Sequence, residues 1–314
     1  PHITNEIKSR FYHEENGEQT RIAIIEVGGT VGDIESQPFL EAIRQFQHDI
    51  GHDNAILIHV TLIPYLKASG ELKSKPTQQS VKELQSMGLR PDILVCRSER
   101  PIPEELKAKI SLFCNVPKEH VLQNIDVKYL YEAPLAMEKE HLAGVVCESL
   151  KLPCPKPDLT DWKTMVHNLR NPRYRTEIAI VGKYIQLRDA YLSVAEALKH
   201  GGIAACTDVK LRWIDSEELT AKNVSEQLRG VRGIRVPGGF GTRGTEGKIT
   251  AIQYAREQKI PFLGICLGMQ MAIVEYARHV LGYTDANSIE LNPNTQHPVI
   301  TLMPDQDSGA DLGG

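Results

Sequence analysis

No apolar run in this 314-residue sequence approaches the roughly 20 residues needed to span a bilayer. The first residues carry no signal-peptide pattern, so membrane and secretory classes are not expected. No Cys-x-x-Cys pair occurs among the dispersed cysteines Cys96, Cys114, Cys147, Cys154, Cys206 and Cys266. That spacing argues against a disulfide frame or zinc site and for reduced thiols in the cytoplasm. Charge of one sign is also lacking: the formal net charge is −4, which gives no general field for nucleic acid or anionic lipid. Any nucleotide must therefore be held by a local cluster. There is no internal repeat and no low-complexity segment. What is present is a globular composition, 41% hydrophobic and 24% charged, long enough to suggest two domains with sizeable cores.

Strand-like and helical patterns alternate along the first half. Arg21–Val27 is a short apolar run ending in Gly28-Gly29, as a buried parallel strand does. Helical spacing follows at Phe39–Gln47, a strand at Ala55–Ile63, a helix at Thr77–Ser86, a strand at Asp92–Arg97 and a helix at Pro134–Leu150. Prolines at 153, 155, 157 and 172 then interrupt the pattern, with room for a short helix over Asp161–Leu169. Alternation resumes with strands at Glu177–Gly182, Asp208–Ile214, Gly233–Val236 and Pro261–Ile265. Helices are expected at Asp189–His200 (closed by Gly201-Gly202), Glu246–Gln258 and Gly268–Leu281. Two parallel α/β domains are predicted, over residues 1–150 and 177–314, joined by a linker over 151–176.

The clearest chemical signal lies in the second domain. The strand Pro261–Ile265 runs into Gly264-Ile265-Cys266-Leu267-Gly268 and a helix, the nucleophile-elbow pattern with cysteine in place of serine. Glycines permit the sharp turn, and the following helix N-terminus favours the thiolate. The Leu267 N–H can serve as an oxyanion donor. A buried cysteine in a strand–helix contact is the competing reading. The upstream Arg235-Val236-Pro237-Gly238-Gly239-Phe240-Gly241, a second strand ending in a glycine turn, favours the nucleophile. Gly239 to Gly244 also fits G-x-G-x-x-G, but the acidic residue expected about 20 positions on is missing. It is no P-loop either, because Lys248 is followed by Ile249. A thiolate usually needs a base; His279 and His297 are the downstream candidates, and both read better as structural.

In the first domain Glu26, Asp33 and Glu35 surround a glycine-rich strand end, which suits Mg²⁺ carried with a nucleotide. Asp33 and Glu35 fit equally well as acids opening the next helix. Lys73-Ser74-Lys75-Pro76-Thr77-Gln78 places two cations before a helix N-terminus, as a polyphosphate needs, or forms a solvated loop. Arg97 at a strand end and Lys109 on a helix are weak signals alone.

Taken together, EVGGTVGDIES, KSKPTQ, DAYLSVAEALKHGG, PGGFG and GICLGMQ, in this order, resemble the CTP synthase family across nearly the whole sequence. The resemblance implies a P-loop-type parallel-sheet synthetase (amidoligase) domain followed by a class I glutamine amidotransferase domain of flavodoxin-like α/β fold. It implies glutamine hydrolysis at Cys266 and ATP-dependent amination of UTP to CTP, with Mg²⁺ as cofactor, GTP as activator and CTP as inhibitor. By resemblance Glu26 ligates the metal, and Asp33, Ile34 and Glu35 line the UTP/CTP site with Lys73, Ser74, Lys75, Pro76, Thr77, Gln78 and Lys109. Arg97, Ile125, Asp126 and Val127 would lie near ATP. Gly239, Leu267, Gly268, Met269, Gln270 and Glu290 would bind glutamine, and the Arg243 loop resembles the GTP-responsive lid. A homotetramer is implied, with no nucleic-acid or membrane partner.

The sequence departs from the family pattern at Gln79, where histidine is usual, and at Arg188, where proline is usual. The family's P-loop, the histidine and glutamate completing the triad and a glutamine-binding arginine are not among these residues. Pro1 and Asp311-Leu312-Gly313-Gly314 do not read as natural ends, so a segment of a longer protein is expected. Two other readings are another amidoligase–amidotransferase acting on a cobyrinate-like acid, and a catalytically incomplete assembly component.

Overall fold

The computed structural model describes residues 2–13 and 22–302, which fall into two units, Pro1–Leu159 and Thr160–Gly314. Unit 1 contains α1 (His2–His13), α2 (Gln37–Ile50), β1 (Ile58–Leu62), a hairpin of β2 (Tyr65–Leu66) and β3 (Glu71–Leu72), and α3 (Lys75–Ser86). β4 (Ile93–Ser98), α4 (Glu104–Cys114), β5 (Val121–Ile125), α5 (Ala133–Lys139) and α6 (Leu142–Ser149) follow. β1, β4 and β5 form a parallel sheet in the order β1-β4-β5, with Val60 beside Val95 and Val95 beside Leu122.

The central strand β4 is apolar on both faces because both are covered. Leu94 and Cys96 pack with Val81 of α3 and with Ile110 and Cys114 of α4. Ile93 and Val95, one step out of phase, pack with Leu122 and with Val145 of α6. Three parallel strands thus deliver their carboxyl ends to one edge, where α/β sheets place ligands. α3 starts beside that edge because Pro76 is tolerated in the first helical turn, and Thr77 Oγ1 donates to Leu62 O at 3.1 Å.

Two expectations change here. Residues 22–27 are extended but form no strand. A strand needs a hydrogen-bonding neighbour, and residues 22–27 pair with no strand of the described sheet, whose edge strand on one side is β1; Ile24 is 95% exposed, and Ile58, Val60 and Leu62 of β1 are also exposed. The single helix predicted over Pro134–Leu150 is two, α5 and α6, because His141 turns into the left-handed region (φ 62°). Its ring lies over Gly144, where a Cβ would approach Nε2 to 2.0 Å. α1 and β5 lacked a clear sequence pattern and appear only in the structure.

Unit 2 contains α7 (Thr160–Arg170), β6 (Tyr174–Gly182), α8 (Leu192–Ala204), β7 (Thr207–Asp215), α9 (Val224–Gln227), β8 (Gly233–Val236) and α10 (Thr245–Glu257). β9 (Phe262–Gly264), α11 (Leu267–His279), β10 (Asn287–Ser288) and β11 (Pro298–Ile300) complete it. The main sheet is parallel in the order β7-β6-β8-β9. Its core joins Ala179 and Val181 of β6, Ile234 and Val236 of β8, Ile249 and Ile252 of α10, and Leu267, Met271 and Val274 of α11. Strand order reverses between β6 and β8, which opens a crevice at their carboxyl ends.

α8 does not stop at Gly201-Gly202 as predicted. It continues to Ala204, because a Cβ on Gly202 would stand 2.5 Å from Val209 Cγ2; glycine there serves close packing against β7. Among the described residues no helix is long and apolar enough to cross a membrane.

An ion pair between a buried carboxylate and an exposed guanidinium ties the last two long helices together. Glu275 of α11, 1% exposed, accepts from Arg256 Nη2 of α10 at 2.8 Å and from Nε at 3.1 Å. Arg256→Ala is expected to cost about 2–3 kcal/mol, since it leaves the buried Glu275 carboxylate without its guanidinium partner, and more than Glu275→Ala, which leaves an exposed Arg256 to water. Urea unfolding of Glu275→Ala, Arg256→Ala and the double variant measures the coupling.

Candidate active site

The sheet of unit 2 sets two turns side by side. Val236 of β8 pairs with Gly264 of β9, so the glycine turn after β8 and the elbow after β9 leave at the same level. Ile265 N–H donates to Val236 O at 3.1 Å and fixes the approach to the elbow. Cys266 then adopts φ 52° and ψ −118°, a strained conformation for a residue with a side chain, and it is exposed. α11 begins at the next residue, with Gln270 N–H on Cys266 O at 3.1 Å.

The flanking glycines are required by contact. A Cβ on Gly264 would meet the Gly268 carbonyl at 2.5 Å, and one on Gly268 would meet Val236 O at 2.1 Å. The upstream turn lies against Cys266: a Cβ on Gly238 would lie 3.3 Å from Cys266 Cβ and 3.8 Å from Sγ. Gly239 packs beside Leu267, whose Cδ2 would stand 3.9 Å from a Cβ there. Leu267 opens α11, where an N–H has no acceptor within its own helix. The arrangement therefore offers a strained, accessible thiol, a helix N-terminus behind it and two adjoining backbone turns. That is the geometry of acyl transfer to sulfur.

Two lysines that the sequence reading passed over lie beneath the glycine turn. Lys248 of α10 is completely buried, and its Nζ has no hydrogen-bond partner among the described residues. Burial, then the neighbouring Lys183, push its ammonium down to about 8, while Cys266 pulls it up. Lys183, just past β6, is 6% exposed; its Cε would be 3.2 Å from a Cβ on Gly239, and Lys248 Nζ 3.7 Å. The signal was present: Lys248 shares a helix face with Ala251, Ile252 and Ala255, a position the helical period assigns to the core.

At the carboxyl edge of the unit 1 sheet, Arg97 at the end of β4 pairs with Asp126 beyond β5 at 3.3 Å. Asp126 N–H donates to Ser98 O at 3.0 Å. Nearby, Lys73 pairs with Glu71, whose carboxyl is held below its usual range by Lys73 first and by Lys109 as a weaker influence. Glu71 and Lys109 line a cleft of about 520 Å³ with Arg100, whose guanidinium lies 3.6 Å from the Tyr65 ring centroid.

Comparison with known proteins bears on these geometries. The family model described as CTP synthase N-terminus matches residues 1–152, and that described as Glutamine amidotransferase class-I matches residues 186–303. CTP synthases of Halalkalibacterium halodurans and Ruminiclostridium cellulolyticum are each 57% identical over 314 residues, which is 100% of this chain and 59% of theirs. The Geobacillus kaustophilus CTP synthase is 54% identical over the same span. The chain combines a CTP synthase N-terminal domain with a class I glutamine amidotransferase domain. It spans about 59% of the length of these relatives. A solved structure titled Trypanosoma brucei CTPS glutaminase domain with bound acivicin aligns with TM-score 0.41 and 43% identity, covering 43% of this chain and 52% of that one.

The family's fold assignment, a synthetase domain and a class I amidotransferase domain, agrees with the two parallel α/β units. Of the residues that family resemblance singled out, Cys266, Gly239, Leu267 and Gly268 come together at the elbow. Met269 and Gln270 follow in the first turn of α11. Glu290 is exposed in the turn after β10 and makes no side-chain hydrogen bond or ion pair to these residues. In unit 1, Lys73 and Lys109 converge on Glu71, and Arg97 meets Asp126, with Ile125 and Val127 on either side in sequence. Ser74 accepts from Gln78 Nε2 at 3.0 Å, Thr77 is fully buried against Thr61 and Leu62, and Lys75 and Pro76 are exposed in the first turn of α3.

Glu26, Asp33, Ile34 and Glu35 are exposed. Asp33 and Glu35 precede α2 and do not lie in its first turn: Asp33 O accepts from Ser36 N–H and Oγ, and Ser36 is the cap. Gln79 is exposed on α3. Arg188 opens a one-turn helix, and its side chain lies outside the described residues. Arg243 Nη1 donates to Glu217 at 2.5 Å, with its guanidinium 5.9 Å from the Tyr184 ring centroid.

Neither downstream histidine serves the elbow. His279 sits at the far end of α11, about 19 Å along the axis from Cys266, and its Nδ1 is 3.3 Å from Glu275. His297 is engaged by Asp285 at 2.5 Å and stacks on Tyr283. His297, followed by the Gln296 N–H, lowers the Asp285 carboxyl to about 2. A depressed carboxylate contributes stability above its unfolded value near 4 and loses it as pH falls through about 2. Asp285→Asn should therefore flatten the fall in the urea midpoint between those pH values.

Proposed function

We propose that the protein works as a glutamine-dependent CTP synthase, with unit 2 releasing ammonia from glutamine at Cys266 and unit 1 aminating UTP at the expense of ATP. The observation that carries the reading is the elbow: a strained, exposed cysteine with Gly238 against it, and Gly239 and Leu267 adjoining. Cys266 Sγ attacks the glutamine carboxamide carbon, and the developing oxyanion is placed toward the Gly239 and Leu267 N–H groups. Collapse expels ammonia and leaves a γ-glutamyl thioester, which water hydrolyses. The leaving amine must be protonated, and His279 and His297 are both held elsewhere.

In unit 1 the cations Lys73 and Lys109, gathered around Glu71, suit the triphosphate of UTP or of CTP as inhibitor, and Arg97 with Asp126 suits ATP. The described residues hold no cluster of three or more metal-ligating side chains. A single carboxylate such as Glu26, exposed and without an ion pair among the described residues, fits Mg²⁺ that arrives on nucleotide phosphates and keeps most of its other ligands from them. When bound, Mg²⁺ would neutralise phosphate charge. GTP activation through the Arg243 loop, assembly as a homotetramer and a cytoplasmic setting belong to the same proposal.

The substrate assignment is tested in a hybrid in which this chain replaces the matching segment of the Halalkalibacterium halodurans relative. UTP-dependent ATP hydrolysis is expected. ATP hydrolysis that ignores UTP and responds to a cobyrinate-like acid would favour a different amidoligase, and none with either would favour an assembly role.

A further inference from the structure

We propose that Lys248 is a positioning residue of the thiol site, holding beneath the Gly238-Gly239 turn the fixed positive charge against which the Cys266 thiolate and the glutamyl oxyanion form. This deepens the reading of Cys266 as nucleophile and rests on it.

A lysine at the core-facing position of α10 is anomalous. Its neighbours on that face are Ala251, Ile252 and Ala255, all buried, and an aliphatic residue would satisfy the packing. The side chain is completely buried, and its Nζ has no hydrogen-bond partner among the described residues. Burying an ammonium unpaired is costly, so a purely structural lysine is normally met by a carboxylate or carbonyl. Here the charged groups acting on it are Lys183, from the end of β6, and Cys266, from the elbow. Lys183 repels it. Among the described residues, the sulfur, as thiolate, is the charged group that attracts it.

The geometry brings this charge to the reacting atoms through two consecutive glycines. Gly238 lies against Cys266, 3.3 Å from its Cβ as measured from an ideal Cβ position, and Gly239 lies against Lys248 Nζ at 3.7 Å. The absence of side chains at both positions lets a single turn separate the ammonium from the sulfur. Both lysines also stand at the crevice where strand order reverses, beneath the Gly239 peptide assigned to the oxyanion. A fixed cation in a site of low dielectric favours negative charge that appears during reaction, and it needs no reorganisation. With its ammonium pushed down to about 8, Lys248 is mostly charged at neutral pH and loses that charge above it.

The test uses the 314-residue chain and does not need glutamine turnover. Carboxamidomethylation of Cys266 by iodoacetamide, followed by peptide mass spectrometry across pH, reads the thiolate directly. In Lys248→Met the rate at pH 7 should fall about tenfold, converging with the wild type near pH 10, where the wild-type Lys248 has lost its charge and the variant carries none. The variant should also melt about 3–6 °C higher, since a buried unpaired charge is gone. An unchanged rate at pH 7 in folded Lys248→Met overturns the proposal.

A second measurement keeps the test decisive if that variant does not fold. Electrostatic coupling is mutual, so in ¹³Cε-lysine-labelled Cys266→Ser the Lys248 titration midpoint should drop relative to wild type. No drop overturns the proposal. These outcomes are independent of the glutaminase reading, which fails instead if Cys266→Ala still hydrolyses glutamine.

Discussion

Cys266→Ala should abolish glutamine-dependent CTP formation, by at least about a thousandfold, while ammonia-dependent formation stays within about twofold of the parent. The split follows from where the residue sits. Cys266 belongs to unit 2 and terminates β9, whereas the cationic groups suited to nucleotide lie in unit 1. Removing the sulfur takes away the only proposed acceptor for the glutamyl group. It leaves the backbone of the elbow intact, because the strain at φ 52° is set by the Gly264 and Gly268 contacts on either side. The measurement is CTP formation by the hybrid enzyme with glutamine or ammonium chloride as nitrogen source. Equal loss with both sources would mean that the cysteine supports the fold and not the chemistry.

Gly268→Ala should be the most damaging conservative change in unit 2. Its added methyl would stand 2.1 Å from Val236 O and 2.8 Å from Val236 C, backbone atoms of a central strand that cannot swing aside. Either α11 withdraws from β8 or the elbow unwinds. Both open the core formed by Leu267, Met271 and Val274, at a cost of about 3 kcal/mol or more. A control separates this from any generic glycine effect. Gly201 lies inside α8 with nothing within 4 Å of its would-be Cβ, so Gly201→Ala should be neutral or stabilise by up to about 1 kcal/mol. Urea unfolding of the two variants, with iodoacetamide reactivity of Cys266 as a local readout, checks both expectations.

The elbow was legible in the sequence because its requirements are local. A strand, a tight turn and a helix N-terminus are each encoded within a few residues, and the glycines at 264 and 268 mark where backbones touch. Adjacency of the second glycine turn was also readable once two parallel strands were recognised, since their carboxyl ends share an edge. Segment 22–27 misled for the opposite reason: its apolar run has strand character, but a strand exists only with a partner, and that is a non-local fact. Gly201-Gly202 misled because glycine has two uses, ending a helix and admitting a close neighbour. Only the position of Val209 decides between them. Likewise the break at His141 depends on its ring packing over Gly144.

Lys248 was the most instructive omission. Its place in the helical period pointed to the core, but a lysine in a glycine-rich context reads first as a phosphate ligand or a solvated charge. Its meaning depends on Lys183, about 65 residues earlier, and on Cys266, both brought to it by sheet order. In unit 1 the lysine pair at 73 and 75 looked equivalent in sequence. The structure separates them, with Lys73 paired to Glu71 beside Lys109, and Lys75 exposed at the start of α3.

The central claim is that glutamine passes through a covalent bond to Cys266, and rapid acid quench tests it most directly. The chain, within the hybrid enzyme, is mixed with glutamine, quenched within a turnover and digested. A γ-glutamyl adduct on the Cys266 peptide, absent without glutamine, is the predicted result. Steady glutamine hydrolysis with no adduct on Cys266, and undiminished in Cys266→Ala, would contradict it.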